Sequence, residues 1–158
     1  MNSSNSDFSR RSFIKKSALF GGLSIIPAHF VLGQNSSKER APGDKVNVAC
    51  IGIGHKGAGN VAMAHRTGLC NIVALCDVDL KGKHTQGVLT KFPKAKTFTD
   101  FRKMFDAMAD EIDAVFISTP DHAHFAMTMH AMSLGKHVYV EKPLTHTFGQ
   151  AERLMQMA

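Results

Sequence analysis

The sequence has no tryptophan, one tyrosine and only three cysteines in 158 residues. Three cysteines cannot build the disulfide framework of a small secreted scaffold. Their positions, 50, 70 and 76, match neither a zinc site nor a redox Cys-x-x-Cys pair. Cys50 and Cys76 fall in apolar runs, where a free thiol packs as a small hydrophobe, and Cys70 reads as part of the turn before the second of those runs. A nucleic-acid footprint is missing as well. No Lys/Arg cluster is interleaved with aromatic residues, and half of the formal charge of +6 belongs to residues 1–33, where Arg10, Arg11, Lys15 and Lys16 oppose only Asp7. The +3 left for the remainder is too little to argue a phosphate-binding surface, so no nucleic-acid partner is expected. Long apolar runs are also lacking. The most apolar part of the N-terminus, Ala18–Ile26, is too short to span a bilayer as a stable helix, so no stable membrane anchor is expected.

What the N-terminus does contain is Ser9-Arg10-Arg11-Ser12-Phe13-Ile14-Lys15, which resembles a twin-arginine export signal. With the short apolar core behind it, Pro27, and a small residue at Gly33, residues 1–33 are expected to be a signal peptide. That route carries folded proteins, so it suits a chain that must load a cytosolic cofactor before export to the periplasm or beyond. Residues 34–44, polar and containing a Pro-Gly turn, read as a linker.

From Lys45 the pattern changes. Val46–Ile53 is an apolar run rich in Val and Ile, the mark of a buried parallel strand, and it empties into Gly52-Ile53-Gly54-His55-Lys56-Gly57, a Gly-x-Gly-x-x-Gly loop. Gly52 permits the tight turn, Gly54 lets backbone approach a pyrophosphate, and Gly57 lets the next helix pack close to the sheet. The unpaired N–H groups at that helix start suit a phosphate. A helix over about 58–66 and a strand Ile72–Cys76 follow. Asp77 closes that strand 20 residues after Gly57, where a carboxylate accepts from the adenosine ribose hydroxyls and repels a 2′-phosphate. NAD is therefore expected over NADP, with Asp79 as the fallback ribose ligand.

The alternation continues with a helix over about 81–91 stopped by Pro93, a short strand Ala95–Phe98, and a helix capped by Thr99 or Asp100 with Phe101, Met104, Phe105 and Met108 inward. A strand Ala114–Ser118 ends at Thr119-Pro120. Asp121 opens a helix with Phe125, Met129 and Met132 inward, ended by Gly135. The strand His137–Val140 leads to Glu141-Lys142-Pro143, and Thr147 caps a last helix still running at Ala158. Strands alternating with helices give an α/β, Rossmann-type doubly wound parallel sheet over residues 45–158, expected to be incomplete at its C-terminus. Each motif then falls beyond a strand's C-terminal end, where such sheets bind ligands. There a lysine beside a glutamate can hold a substrate hydroxyl near a nicotinamide and lend a proton or hydrogen bond. His122-x-His124 could suggest a metal, but helical positions two apart point about 200° apart, and no carboxylate or cysteine completes the set, so no metal is expected.

The four motifs Gly52-x-Gly54-x-x-Gly57, Asp77, Ser118-Thr119-Pro120-Asp121-His122-Ala123-His124 and Glu141-Lys142-Pro143, in that order and spacing, resemble the glucose-fructose oxidoreductase/inositol dehydrogenase/rhizopine-catabolism (Gfo/Idh/MocA) family from Lys45 to Ala158. The resemblance implies an NAD(P)-dependent oxidoreductase acting on a hydroxyl of a sugar, cyclitol or related polyol. It places Ile53, His55 and Lys56 along the pyrophosphate and Asp77 on the ribose. It puts Ser118, Thr119, Pro120 and His124 on the nicotinamide side, Glu141 on the cofactor and Lys142 as the catalytic lysine. His55-Lys56 stands where Asn-Arg is more usual, and Asp121 where Asn is frequent. The family also implies a second, mainly β-sheet substrate domain, absent from this sequence, so a fragment or truncated product with little turnover alone is expected, and a homo-oligomer when full length. Two alternatives remain. One is the NAD-dependent glycoside hydrolase branch of the same superfamily, whose members tend to lack the lysine of Glu-Lys-Pro. The other is a non-catalytic nucleotide- or sugar-binding protein.

Overall fold

The computed structural model describes residues 45–158; the expected signal peptide and linker lie outside the described residues. Strand β1 (Val46–Ile51) pairs in parallel with β2 (Cys70–Cys76) on one side and β4 (Ala114–Ile117) on the other. The outer strands are β3 (Lys96–Phe98) against β2 and β5 (His137–Val140) against β4, also parallel, giving the order β3-β2-β1-β4-β5. The crossovers are α1 (His55–Arg66), α2 (Lys83–Lys91), α3 (Phe101–Met108) and α4 (His124–Ser133), with α5 (Phe148–Met157) after β5. The expected five-stranded α/β sheet is thus present, and the chain reverses its direction of growth between β1 and β4.

The near-continuous apolar reading of β1 has a simple cause: both of its faces are covered. Ala49 and Ile51 join Ala74, Cys76, Val115 and Ile117 under the Met104, Phe105 and Met108 face of α3. Val48 and Cys50 point the other way, to Leu75, Val61 of α1 and Val88 of α2. A central parallel strand buried on both sides loses the polar alternation of a half-exposed one. Burial pushes the Cys50 and Cys76 thiols up to about 12, with Cys70 adding to the first and Asp77 and Asp100 to the second. These thiols are packing groups, not nucleophiles.

Several boundaries differ from expectation, each for a local reason. β1 stops at Ile51 because Gly52, at φ 77°, turns the chain off the sheet. Helix α1 starts at His55, not near Ala58, so the glycine loop is shorter and Gly54 itself caps the helix. Cys70 is not in a turn: it opens β2 and pairs with Val46. Asp100 rather than Thr99 caps α3, accepting from the Arg102 N–H at 3.0 Å. In α4 the buried side chains are His124, Thr128 and Ala131, with Met127 against the core, while Phe125, Met129 and Met132 are only half-buried. Residues Asp121–Ala123 form a 3₁₀ turn, whose 120° per residue sets α4 in a different rotation from a helix begun at Asp121. Thr147 caps α5 as expected, accepting from the Gln150 N–H at 3.3 Å. Among the described residues no helix is long and apolar enough to cross a membrane.

Phe105 is among the largest fully buried side chains and joins α3 to the strands above it. Phe105→Ala is expected to cost about 3–5 kcal/mol of folding stability, read as a lower urea midpoint; a change under about 1 kcal/mol would mean that α3 is not held by this packing.

Candidate functional site

Four of the five strands, β1, β2, β4 and β5, hand their first residue beyond the sheet to a neighbour by one more ladder bond. Gly52 N–H donates to Cys76 O at 2.8 Å, Asp77 N–H to Phe98 O at 3.0 Å, Ser118 N–H to Ile51 O at 2.8 Å, and Glu141 N–H to Ile117 O at 2.9 Å. Four of the expected site residues are thereby pinned along one edge of the sheet by backbone alone. The cleft above them has a volume of about 650 Å³ and lies at the β1/β4 switch point.

Gly52, Gly54, His55, Lys56 and Asp77 line one wall of that cleft, and Ser118, Thr119 and Pro120 the other. Gly52 is forced by close approach as well as by its φ: a Cβ there would lie 2.7 Å from the Ser118 carbonyl. At Gly57 a Cβ would overlap the Gly52 carbonyl oxygen, so α1 can seat against the strand end only with glycine at that position. Asp77 turns its carboxylate back onto the loop. Its Oδ2 accepts from Ile53 N–H at 2.9 Å and its Oδ1 from Asp79 N–H at 3.0 Å. The Ile53 side chain is fully buried in the core, so only its backbone belongs to the site. These features fit a dinucleotide: a backbone cradle that any Cβ would fill, helix N–H groups at its floor, and a carboxylate fixed beside it.

Asn60, which no motif marked, organises the far side. This residue of α1 is 4% exposed. Its Nδ2 donates to Ser118 Oγ at 2.9 Å and to Glu141 Oε1 at 2.8 Å, tying the ends of β4 and β5 to the helix after the glycine loop. The Asn60 hydrogen bond, with smaller help from the Lys142 N–H and from Lys56 at 3.7 Å, holds the Glu141 carboxyl below the usual carboxylate range. The sequence signal was a polar residue on the otherwise apolar face of Gly57, Val61 and Ala64. Lys142 is exposed and, like Glu141, stands outside the cleft lining, on a loop that continues through a cis peptide into Pro143.

His124 departs from its expected place on the cleft wall. It is 1% exposed, with Nδ1 2.7 Å from Pro143 O and Nε2 2.8 Å from Thr119 O. It works as a tie between the Thr119-Pro120 loop and the Lys142-Pro143 loop. A second tie runs between the same loops, His146 Nε2 to Asp121 Oδ2 at 3.2 Å, and this hydrogen bond keeps the Asp121 carboxyl low. His122 alone of the His-x-His pair lines the cleft, and among the described residues no group of three or more His, Cys, Asp or Glu could hold a metal ion. The lining also includes His84, Val78 and Arg102, none of them marked by sequence. Arg102 is held in a bidentate pair by Asp100, at 2.9 and 3.0 Å.

The profile of the family described as "Oxidoreductase family, NAD-binding Rossmann fold" matches residues 46–158. A Glycosyl hydrolase family 109 protein of Shewanella pealeana is 35% identical over 121 residues, 73% of this chain and 26% of that protein. The crystal structure of myo-inositol 2-dehydrogenase from Lactobacillus plantarum superposes with a TM-score of 0.63 at 27% identity, covering 72% of this chain and 32% of that one. Myo-inositol dehydrogenase from Lactobacillus casei, solved in complex with NAD(H) and myo-inositol, gives 0.62 at 26% identity, over 72% of this chain and 33% of that one. The chain thus spans about a third or less of the length of these proteins.

The Asn60–Glu141 bond carries a pH signature. A carboxyl held low in the folded state stabilises it above the ordinary carboxylate value of 4.5 and loses that contribution as pH falls through its depressed value. Asn60→Ala is therefore expected to lower the urea midpoint more at pH 7 than at pH 3; an equal loss at both would detach Glu141 from Asn60.

Proposed function

The chain belongs to the Gfo/Idh/MocA oxidoreductase family, and on that premise we propose that it is the cofactor-binding part of an exported NAD-dependent dehydrogenase acting on a hydroxyl of a sugar, cyclitol or related polyol. The observation that carries the reading is the Asp77 carboxylate, fixed by the Ile53 and Asp79 N–H groups at the mouth of the glycine loop. There it accepts from both ribose hydroxyls of adenosine, and its charge repels a 2′-phosphate, which favours NAD over NADP. Gly52, Gly54, His55, Lys56 and the first N–H groups of α1 face the diphosphate. Ser118, Thr119 and Pro120 wall the nicotinamide end, and Glu141, outside the lining, is joined to Ser118 through the Asn60 amide. Bound there, NAD supplies the acceptor for the hydride leaving the carbinol carbon. Lys142 holds the substrate oxygen by a hydrogen bond and, as the neutral amine, would take the hydroxyl proton while the hydride leaves the carbinol carbon and the carbonyl forms. His124 positions the loop that bears Lys142 against the loop of Thr119, so its role is orientation rather than contact.

The Glycosyl hydrolase family 109 name carried by a relative supports a second reading, transient oxidation of a sugar in the service of glycosidic cleavage. Lys142 within Glu-Lys-Pro weighs against it. The Ser9–Lys15 motif supports export by the twin-arginine route.

Calorimetric titration of the intact protein should show NAD binding at least tenfold tighter than NADP binding, with Asp77→Ala erasing the preference; a folded wild type that binds neither would sink the reading. Joined to a substrate domain of the kind the family carries, the protein incubated with NAD and polyols should accumulate NADH, which Lys142→Met abolishes, whereas a hydrolase would release sugar with no net NADH. Replacing Arg10 and Arg11 with lysines is expected to leave the protein in the cytosolic fraction, and unchanged export would remove the twin-arginine assignment.

A further inference from the structure

His84, the second residue of α2, reaches across the cleft to the glycine loop. A Cβ on Gly54 would overlap the His84 ring, and so would a Cβ on Gly82, the residue capping α2. Two glycines from different loops therefore leave a slot that one imidazole fills. The ring is stacked on His55, centroids 4.8 Å apart and planes 10° apart, and its Nε2 lies 3.8 Å from the Asp79 carboxylate. Asp79 in turn gives its N–H to Asp77. His55 holds φ 45°, a left-handed backbone that is strained for a non-glycine residue.

Packing does not account for this arrangement. The His84 side chain is 31% exposed and lines a cleft rather than the core. The space beside the second glycine of such a loop is where backbone approaches a pyrophosphate, and here an imidazole stands in it. Of the two long cationic side chains in the lining, Arg102 is held by Asp100, while Lys56 stays largely exposed at the rim, 3.7 Å from Glu141. The His84 ring edge, Nε2 included, lies directly against Gly54, so a ring N–H is available at the cradle beside the backbone donors. Strain retained at a ligand site, as at His55, is the pattern of a backbone held for function.

We propose that His84, stacked on His55 and oriented by Asp79, recognises the diphosphate of the dinucleotide, holding it against the N–H groups at the start of α1. The inference rests on the cofactor reading above and adds to it the residue that closes the cradle from the α2 side. It also links the two halves of the cleft, since the Asp79 that orients His84 is bonded to the Asp77 carboxylate assigned to the ribose.

The test is calorimetric titration of NAD, ADP and adenosine into the intact protein, wild type and with His84→Ala or His84→Phe. Phenylalanine keeps the ring in its slot and removes the donors, so a folded control is built in. Both variants should weaken NAD and ADP by roughly three- to tenfold and leave adenosine unchanged. Equal weakening of adenosine would put His84 on the nucleoside half and overturn the proposal. Unchanged or tighter NAD binding would do the same, leaving the ring a displaceable slot filler. A wild type that fails to bind NAD would remove the cofactor reading and this inference together, whereas normal wild-type binding with unmoved variants removes only the inference. His55→Gly should raise the melting temperature by relieving the left-handed strain while weakening ADP; retained ADP affinity in that variant would likewise overturn the proposal.

Discussion

The site depends on how closely two strands approach at their carboxyl ends. Where β1 and β4 diverge, the Gly52 backbone lies so near the Ser118 carbonyl that no side chain fits between them. That approach sets the width of the cleft. It also fixes the direction in which the glycine loop leaves the sheet and the seat of α1, since Gly57 lies over the Gly52 carbonyl. A parallel sheet that reverses its order must open a crevice at this point, because the helices on either side of the reversal cover opposite faces. The apolar packing on both faces of β1 holds the two strands in that relation, so the core and the cleft are consequences of the same pairing.

Buried polar residues then do what the ladder bonds cannot. Backbone bonds pin Gly52, Asp77, Ser118 and Glu141 to the sheet edge but leave the segments beyond them free to swing. Asn60 removes that freedom at Ser118 and Glu141, and His124 removes it at Thr119 and Pro143. Such groups are costly to bury without partners, so each is held where its partners are. The outcome is a wall made of several loops with the positional definition of a single element. His84 has an analogous place on the opposite wall, between the glycine loop and the loop after β2.

Much of this was legible in the chain. The helix and strand alternation, the glycine loop, Asp77 at a strand end, Thr147 as a cap and the covered faces of β1 follow from periodicity and local steric rules, which act over a few residues. Boundaries slipped where a residue's conformation is decided by what it touches. Helix α1 begins at His55 because Gly54 can cap it, and α4 is rotated because Asp121–Ala123 winds as 3₁₀.

Sequence alone determined the class of the sheet, the order in which its ligand-facing segments arrive, and the residue types at each strand end, because those depend on local pattern. Tertiary structure decided which of those residues face the cleft. His124 carries the same motif position whether it lines a wall or ties two loops from behind, and only the carbonyls of Thr119 and Pro143, 5 and 19 residues away, draw it inside. Asn60 and His84 became part of the site for the same reason: their partners, Ser118 and Glu141 for one and Gly54 and His55 for the other, are distant in sequence and meet them only when the strands pair.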